Sequence, residues 1–294
     1  MKKLILIFFY LPFFGFAQQT LNQSILHDNL ERDYIIHIPS SYNNNLPIPL
    51  VLCFHGHGGS PSKMLYTNFN YVSDTSNFIV VYPKATLFKG ESHWNVGRRN
   101  LGSNVDDVGF ISSLLDSLSE SYNIDQSRIY STGMSNGGYM SFLLACQLSE
   151  RIAAIASVTG SMTPQTFNLC NPKRPIPVLQ IHGTNDRIVP YNGNSKWTLS
   201  INNVLEYWIN HNNCDPSPSV MSFPDISISD KINVQRLTWL NGDNSVVTDH
   251  IIVHGGRHVW FGAWGNMEIN SSAEIWRFFS KYDIHGEIER KITD

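Results

Sequence analysis

The sequence predicts an α/β fold, a mainly parallel sheet with helices on both faces, in a single domain. Three observations lead there. Short apolar runs without alternation, such as 50–54 (LVLCF) and 78–82 (FIVVY), read as strands buried on both faces. Segments with helical apolar spacing fall between such runs, and alternating strands and helices imply a parallel sheet. The 294 residues are 42% hydrophobic, with no internal repeat, charge block or long linker, which suits one large core.

The elements follow in order. Residues 32–38 (RDYIIHI) alternate as an early strand. The run 50–54 ends at His55-Gly56-His57-Gly58-Gly59, and the run 78–82 stops at Pro83. Apolar residues at 108, 111, 114, 115 and 118 predict a helix, with Asp106 or Asp107 as its N-cap. A strand over 128–132 leads through a glycine turn into an apolar helix over 137–148. Strands are expected over 153–158 and 178–181. Trp197, Ile201, Leu205 and Trp208 share one face, which predicts a helix over 196–210. Strands over 235–240 and 250–253 and a helix over 273–282 close the chain.

Composition excludes several classes. Charged residues are 15%, against about 25% in an ordinary domain. Uncharged polarity replaces them, with 28 Asn and 32 Ser. The net charge of −3 offers no basic excess for nucleic acid, and the hydrophobicity excludes long disorder. Lys2 and Lys3, the apolar run 4–16 and the small residues around Ala17 have the layout of a secretory signal peptide over 1–17. The mature chain is then a single domain over 18–294. Cleavage would remove two of 21 basic residues and none of 24 acidic ones, giving −5 on 277 residues. The mature chain is expected to have no membrane association and to be secreted or periplasmic. Export permits disulfides. Cys53, Cys146, Cys170 and Cys214 allow three full pairings, and the loop contexts of Cys170 and Cys214 make them the best-placed pair. Cys53 sits in an apolar run and reads as a small buried hydrophobe. No spacing suggests zinc.

The strongest local signal is Gly133-Met134-Ser135-Asn136-Gly137, between the strand RIYST and the helix GGYMSFLLACQL. A nucleophile elbow needs this strand–turn–helix setting, with small residues flanking a strained serine. Asn136 follows the serine, so its backbone N–H is one expected oxyanion donor. Serine needs a base and an orienting acid. Asp186 follows the strand PVLQIHG, and His258 lies in a loop after a later strand. The chain order Ser135, Asp186, His258 matches the hydrolase pattern of serine, acid, histidine. His250 and His254 are rivals for the base, but they fall in or at the end of the strand itself. The glycine-rich loop after 50–54 supplies the second oxyanion donor, the backbone N–H of His57. Asp106 and Asp107 read as helix-capping residues.

With these motifs in place, the chain resembles the secreted esterase family that groups polyhydroxybutyrate depolymerases with feruloyl and acetylxylan esterases. The matching stretches are FHGHGG, HWNVG, VDDVGFI, RIYSTGMSNGGYMSFLLACQLSERIAAIASVTG, RPIPVLQIHGTNDRIVPYNG, the helix ending in HNNC, and GGRHVWFG. They run in order from about residue 50 to 262. The resemblance implies the α/β-hydrolase fold and a triad of Ser135, Asp186 and His258. The chain departs from the family pattern at Arg257, where glycine is usual, and at Phe261, where proline is usual. Both departures bear on the pocket beside His258.

The expected activity is that of an exported serine carboxylesterase working through an acyl-enzyme, with no metal or cofactor. Trp94 and Trp260 are candidate substrate walls, since aromatic faces suit a feruloyl ring or a sugar. The preferred substrate is an ester on plant cell-wall polysaccharide, feruloyl before acetyl. Polyhydroxybutyrate oligoesters are the alternative within the class. A non-catalytic exported binding protein on a hydrolase scaffold is the alternative outside it, and a peptidase on the same fold is a third.

Overall fold

Along the run 48–54, side chains alternate between two cores. Leu50, Leu52 and Phe54 enter one, and Val51 and Cys53 the other; all five are fully buried. A strand with period two and no polar face must be covered on both sides. The computed structural model supplies both covers. It describes residues 19–97, 103–226, 229, 231–263 and 268–289. The proposed leader over 1–17 lies outside them.

In chain order the elements are β1 (Gln19–His27), β2 (Leu30–Ile38), β3 (Ile48–Phe54), α1 (Pro61–Met64), α2 (Phe69–Ser76), β4 (Ile79–Pro83), β5 (Leu87–Phe88) and β6 (Glu91–Ser92). Next come α3 (Asp107–Ser121), β7 (Ile124–Met134), α4 (Asn136–Gln147), β8 (Ala154–Val158), α5 (Pro164–Leu169), β9 (Val178–Gly183) and α6 (Ile201–His211). The last are β10 (Ser219–Ser222), β11 (Asn233–Trp239), β12 (Thr248–His254), α7 (Ser271–Phe279), β13 (Tyr282–Asp283) and β14 (Gly286–Glu287).

The main sheet runs β1-β2-β4-β3-β7-β8-β9-β12-β11-β10. Its centre, from β4 through β3, β7, β8 and β9 to β12, is parallel. Antiparallel strands flank it at both ends. Helices α3, α4 and α6 cover one face through Phe110, Phe142 and Trp208. Helices α2 and α7 cover the other through Phe69, Ile275 and Phe278. Burying each such side chain stabilises the fold by about 1.5–3 kcal/mol. From β3 the sheet grows toward β4 on one side and toward β7 on the other. The carboxyl ends of β3 and β7 therefore flank a switch point, where α/β sheets place ligands. The fold is that of the α/β-hydrolases.

Three expectations change. Helix α6 begins at Ile201, not 196, because the Ser200 side chain caps it by accepting from the Asn203 N–H. Trp197 belongs to a turn closed by the Asn194–Thr198 bridge. The closing helix spans Ser271–Phe279, and Tyr282 opens β13. The disulfide joins Cys146 to Cys170, not Cys170 to Cys214. Cys146 sits in the last turn of α4 and Cys170 caps α5, which brings their Cα atoms to 4.8 Å. Cys214 instead lies against Thr248. The edge strands β1 and β10 are additions. β1 pairs with β2 across Asp28-Asn29, both at positive φ, as a two-residue hairpin requires.

Candidate active site

The elbow is built by crowding. A Cβ at Gly133 would lie 2.6 Å from the Gly137 carbonyl, and one at Gly137 only 2.3 Å from Phe54 O. Only glycine lets α4 start this close to β3 and β7. Between them Ser135 takes φ 54°, ψ −121°, a region that costs a side-chain-bearing residue about 1–3 kcal/mol. The turn is held by Ser135 N–H donating to Val158 O at 2.9 Å. Ser135 occupies the N-cap position of α4, yet its hydroxyl makes no capping bond. Among the described residues no hydrogen bond joins it to another side chain, so the oxygen stands ready above the sheet.

The glycine loop after β3 passes beside this oxygen. A Cβ on Gly56 would lie 3.3 Å from Ser135 Cβ and 3.9 Å from its Oγ. His55 braces the loop from below. Its Nδ1 donates to Gly56 O at 2.7 Å, and its Nε2 accepts from the Ala85 N–H at 3.1 Å. Those two bonds define a neutral tautomer, and burial lowers the group to about 4. Two residues on, His57 is exposed, and its ring lies 3.4 Å, nitrogen to nitrogen, from His93.

Asn136 has a second part that the sequence did not disclose. Its side chain clamps the backbone of Trp94, with Oδ1 accepting from Trp94 N at 2.8 Å and Nδ2 donating to Trp94 O at 3.2 Å. The first-turn N–H groups of a helix have no intrahelical partner, so the Asn136 N–H at the first position of α4 is available to an anion. The two residues expected to supply oxyanion donors, His57 and Asn136, line one cavity with Ser135.

Asp186 follows β9 and is almost fully buried. Its Oδ1 accepts from the N–H groups of Ile188 and Val189, both at 2.9 Å. Its Oδ2 lies 2.7 Å from His258 Nδ1. His182 approaches the same oxygen at 3.4 Å while donating to Val189 O. Burial opposes the charge on Asp186. The His182 and His258 hydrogen bonds, the His258 charge and the Val189 N–H outweigh it and hold the carboxyl well below the usual range. With Nδ1 committed to Asp186, Nε2 is the nitrogen of His258 that has no hydrogen-bond partner among the described residues. No hydrogen bond joins His258 to Ser135 in this state. His182 had no signal beyond its place in a buried strand.

The rivals are occupied elsewhere. His250 donates from Nδ1 to Gln180 O and accepts at Nε2 from Tyr191, and burial lowers it to about 3. His254 pairs with Gln235. Asp106 caps α3 through the Gly109 N–H, while Asp107 forms a buried ion pair with Arg32 at 2.6 Å. The substrate-wall reading of Trp94 and Trp260 is corrected. Both are fully buried, Trp94 donating to His55 O and Trp260 to Ser272 Oγ. A tryptophan whose N–H is satisfied inside the core presents no face to a ligand. The cavity of about 320 Å³ that contains Ser135 has Val96, Ile188, Val189 and Trp197 on its apolar side.

The two buried neutral imidazoles make folding acid-sensitive. The unfolded chain protonates histidine near 6.5, whereas native His55 and His250 resist until about 4 and 3. The unfolded state therefore binds more protons, and stability falls as pH drops through 6.5 and keeps falling to about 4. The loss by pH 4 is on the order of several kcal/mol, at about 1.4 kcal/mol per unit per group. Urea midpoints measured from pH 7 to pH 4 should fall steadily; a flat profile would contradict the two tautomers.

Comparison with known proteins adds to this geometry. The family described as phospholipase/carboxylesterase matches residues 106–219, which include Ser135 and Asp186. A bifunctional acetylxylan esterase/xylanase of Neocallimastix patriciarum is 26% identical over 272 residues, 92% of this chain and 36% of that protein. A probable feruloyl esterase C of Aspergillus clavatus is 30% identical over 175 residues, 59% of this chain and 61% of that protein. Feruloyl esterase D of Neurospora crassa is 25% identical over 271 residues, 90% and 86% of the two chains. Among solved structures, an acetyl xylan esterase from Aspergillus awamori matches with TM-score 0.64 at 17% identity, covering 88% of this chain and 99% of that one. The chain spans from 36% to 61% of the length of the first and second relatives named here. The resemblance read from the motifs is thus borne out: the chain has the α/β-hydrolase fold and is similar in sequence to feruloyl and acetylxylan esterases.

Proposed function

We propose that the protein is an exported serine ester hydrolase acting on plant cell-wall polysaccharide, on feruloyl esters before acetyl esters. The observation that carries this is the Asp186–His258 pair at 2.7 Å on the same sheet edge as the strained Ser135. His258 Nε2 removes the Ser135 proton as the oxygen attacks an ester carbonyl. Asp186, which stays ionised, holds the imidazole tautomer and stabilises the imidazolium. The N–H groups of His57 and Asn136 receive the developing oxyanion, each worth about 10²–10³ in rate. His258 then protonates the departing alkoxide, and water releases the acid from Ser135 by the reverse sequence.

Further observations support the substrate and the compartment. The cavity beside Ser135 is walled by aliphatic and aromatic groups, which suits an aromatic acyl chain. Relatives carry the names feruloyl and acetylxylan esterase. Export accords with the leader layout of residues 1–17 and with the Cys146–Cys170 disulfide, which persists in an oxidising compartment. Among the described residues no helix is long and apolar enough to cross a membrane.

The test is a hydrolysis panel of methyl ferulate, acetylated xylan and hydroxybutyrate oligomers. The expected result is turnover of the first two. Turnover of hydroxybutyrate alone would move the substrate to polyester. No turnover of any ester would favour the binding-protein reading.

A further inference from the structure

Two arginines stand beside the candidate base without an anionic partner. Arg187 follows Asp186 directly, and Arg257 precedes His258 and replaces the expected glycine. Both are exposed, and neither side chain makes an ion pair or hydrogen bond among the described residues. They line one cavity of about 420 Å³ together with Asn185, Ile188, His258 and Val259. The chain as a whole carries −3, so the positive charge here is local and does not reflect a basic surface.

The position of this cavity says which part of an ester would enter it. The cavity with Ser135, His57 and Asn136 does not include His258, and the arginine cavity includes His258 but not Ser135. Ile188 borders both. A leaving alkoxide must be protonated by the imidazole, so it departs on the His258 side. The acyl group then lies in the first cavity and the alcohol in the second. A guanidinium is always charged and presents a fork that matches a carboxylate, and two arginines line this otherwise largely apolar cavity.

We propose that the cavity of Arg187 and Arg257 is an alcohol-side subsite for a carboxylate, selecting esters on uronic-acid-bearing polysaccharide. The proposal rests on the ester hydrolase reading for its orientation, but the subsite can be tested apart from it. Acetylated xylo-oligosaccharides with and without a glucuronosyl branch form the substrate pair. Wild type should show kcat/KM about five- to tenfold higher on the acidic member, through KM, and the preference should shrink at 0.5 M salt, where the screening length is a few ångströms. In the R187Q/R257Q double variant the acidic-to-neutral ratio should fall to about one. Calorimetric binding of the same two oligosaccharides to Ser135→Ala reads the subsite without turnover and should show the same preference. Equal binding of the two, or a preference that survives the double variant, overturns the proposal while leaving the hydrolase reading intact. Absence of hydrolysis on every ester, with acidic binding retained, would fail the hydrolase reading and keep the subsite.

Discussion

Replacing Ser135 by alanine should lower kcat on methyl ferulate by about 10⁵–10⁶-fold, the scale seen when a triad nucleophile is removed. The variant should remain folded. Ser135 Oγ holds no hydrogen bond to another side chain among the described residues, and the loop is fixed by the backbone bond from Ser135 N–H to Val158 O, which alanine keeps. Alanine takes the same positive φ with the same strain, so the urea midpoint should move by less than about 0.5 kcal/mol. Loss of turnover with an unchanged midpoint separates chemistry from folding. A variant that unfolds would place Ser135 in the structural frame instead.

The second large effect is expected at Asp186. Asp186→Asn keeps the shape and leaves an oxygen for the Ile188 and Val189 N–H groups. It turns an amide N–H toward His258 Nδ1, which now must accept. The proton moves to Nε2, the nitrogen that should take the serine proton, and kcat should fall about 10⁴-fold with KM little changed. Steady-state kinetics of the folded variant check this. A loss under tenfold would show that Asp186 does not orient the base. The direction of its shift adds a second reading. Because the hydrogen bonds hold Asp186 below the usual carboxylate range, protonation of this group does not set the acid limb of the wild-type rate profile above about pH 4.

The parts legible in the sequence share one physical property, that each is dictated locally. Strand β3 is dominated by apolar residues because both its faces are covered, and β8 and β9 are likewise buried at every position. The elbow is legible because close approach of β3, β7 and α4 excludes every side chain at Gly133 and Gly137. Asp186 and His258 are legible from order alone, and their 2.7 Å contact is a product of the sheet that pairs β9 with β12.

What stayed hidden depends on tertiary contact. β1 carries few apolar residues, since as an edge strand it buries only alternate side chains in part. The disulfide depends on how the end of α4 meets α5 in space, so loop context in the sequence pointed to the wrong partner for Cys170. Trp260 is two residues from His258 in sequence, yet it and Trp94 turn into the core, where Ser272 Oγ and His55 O satisfy them. The clamp of Asn136 on Trp94 and the approach of His182 to Asp186 join residues by side-chain direction, which no spacing encodes.

The most direct measurement is the covalent intermediate itself. The protein is mixed with methyl ferulate or a fluorophosphonate, quenched, digested and mapped by mass. The acyl or phosphonyl group should sit on Ser135, in one equivalent, and be absent when His258 is replaced by alanine and the reaction is quenched within the wild-type burst. An adduct on another residue, or ester turnover with no covalent species and an unmodified Ser135, would contradict the mechanism.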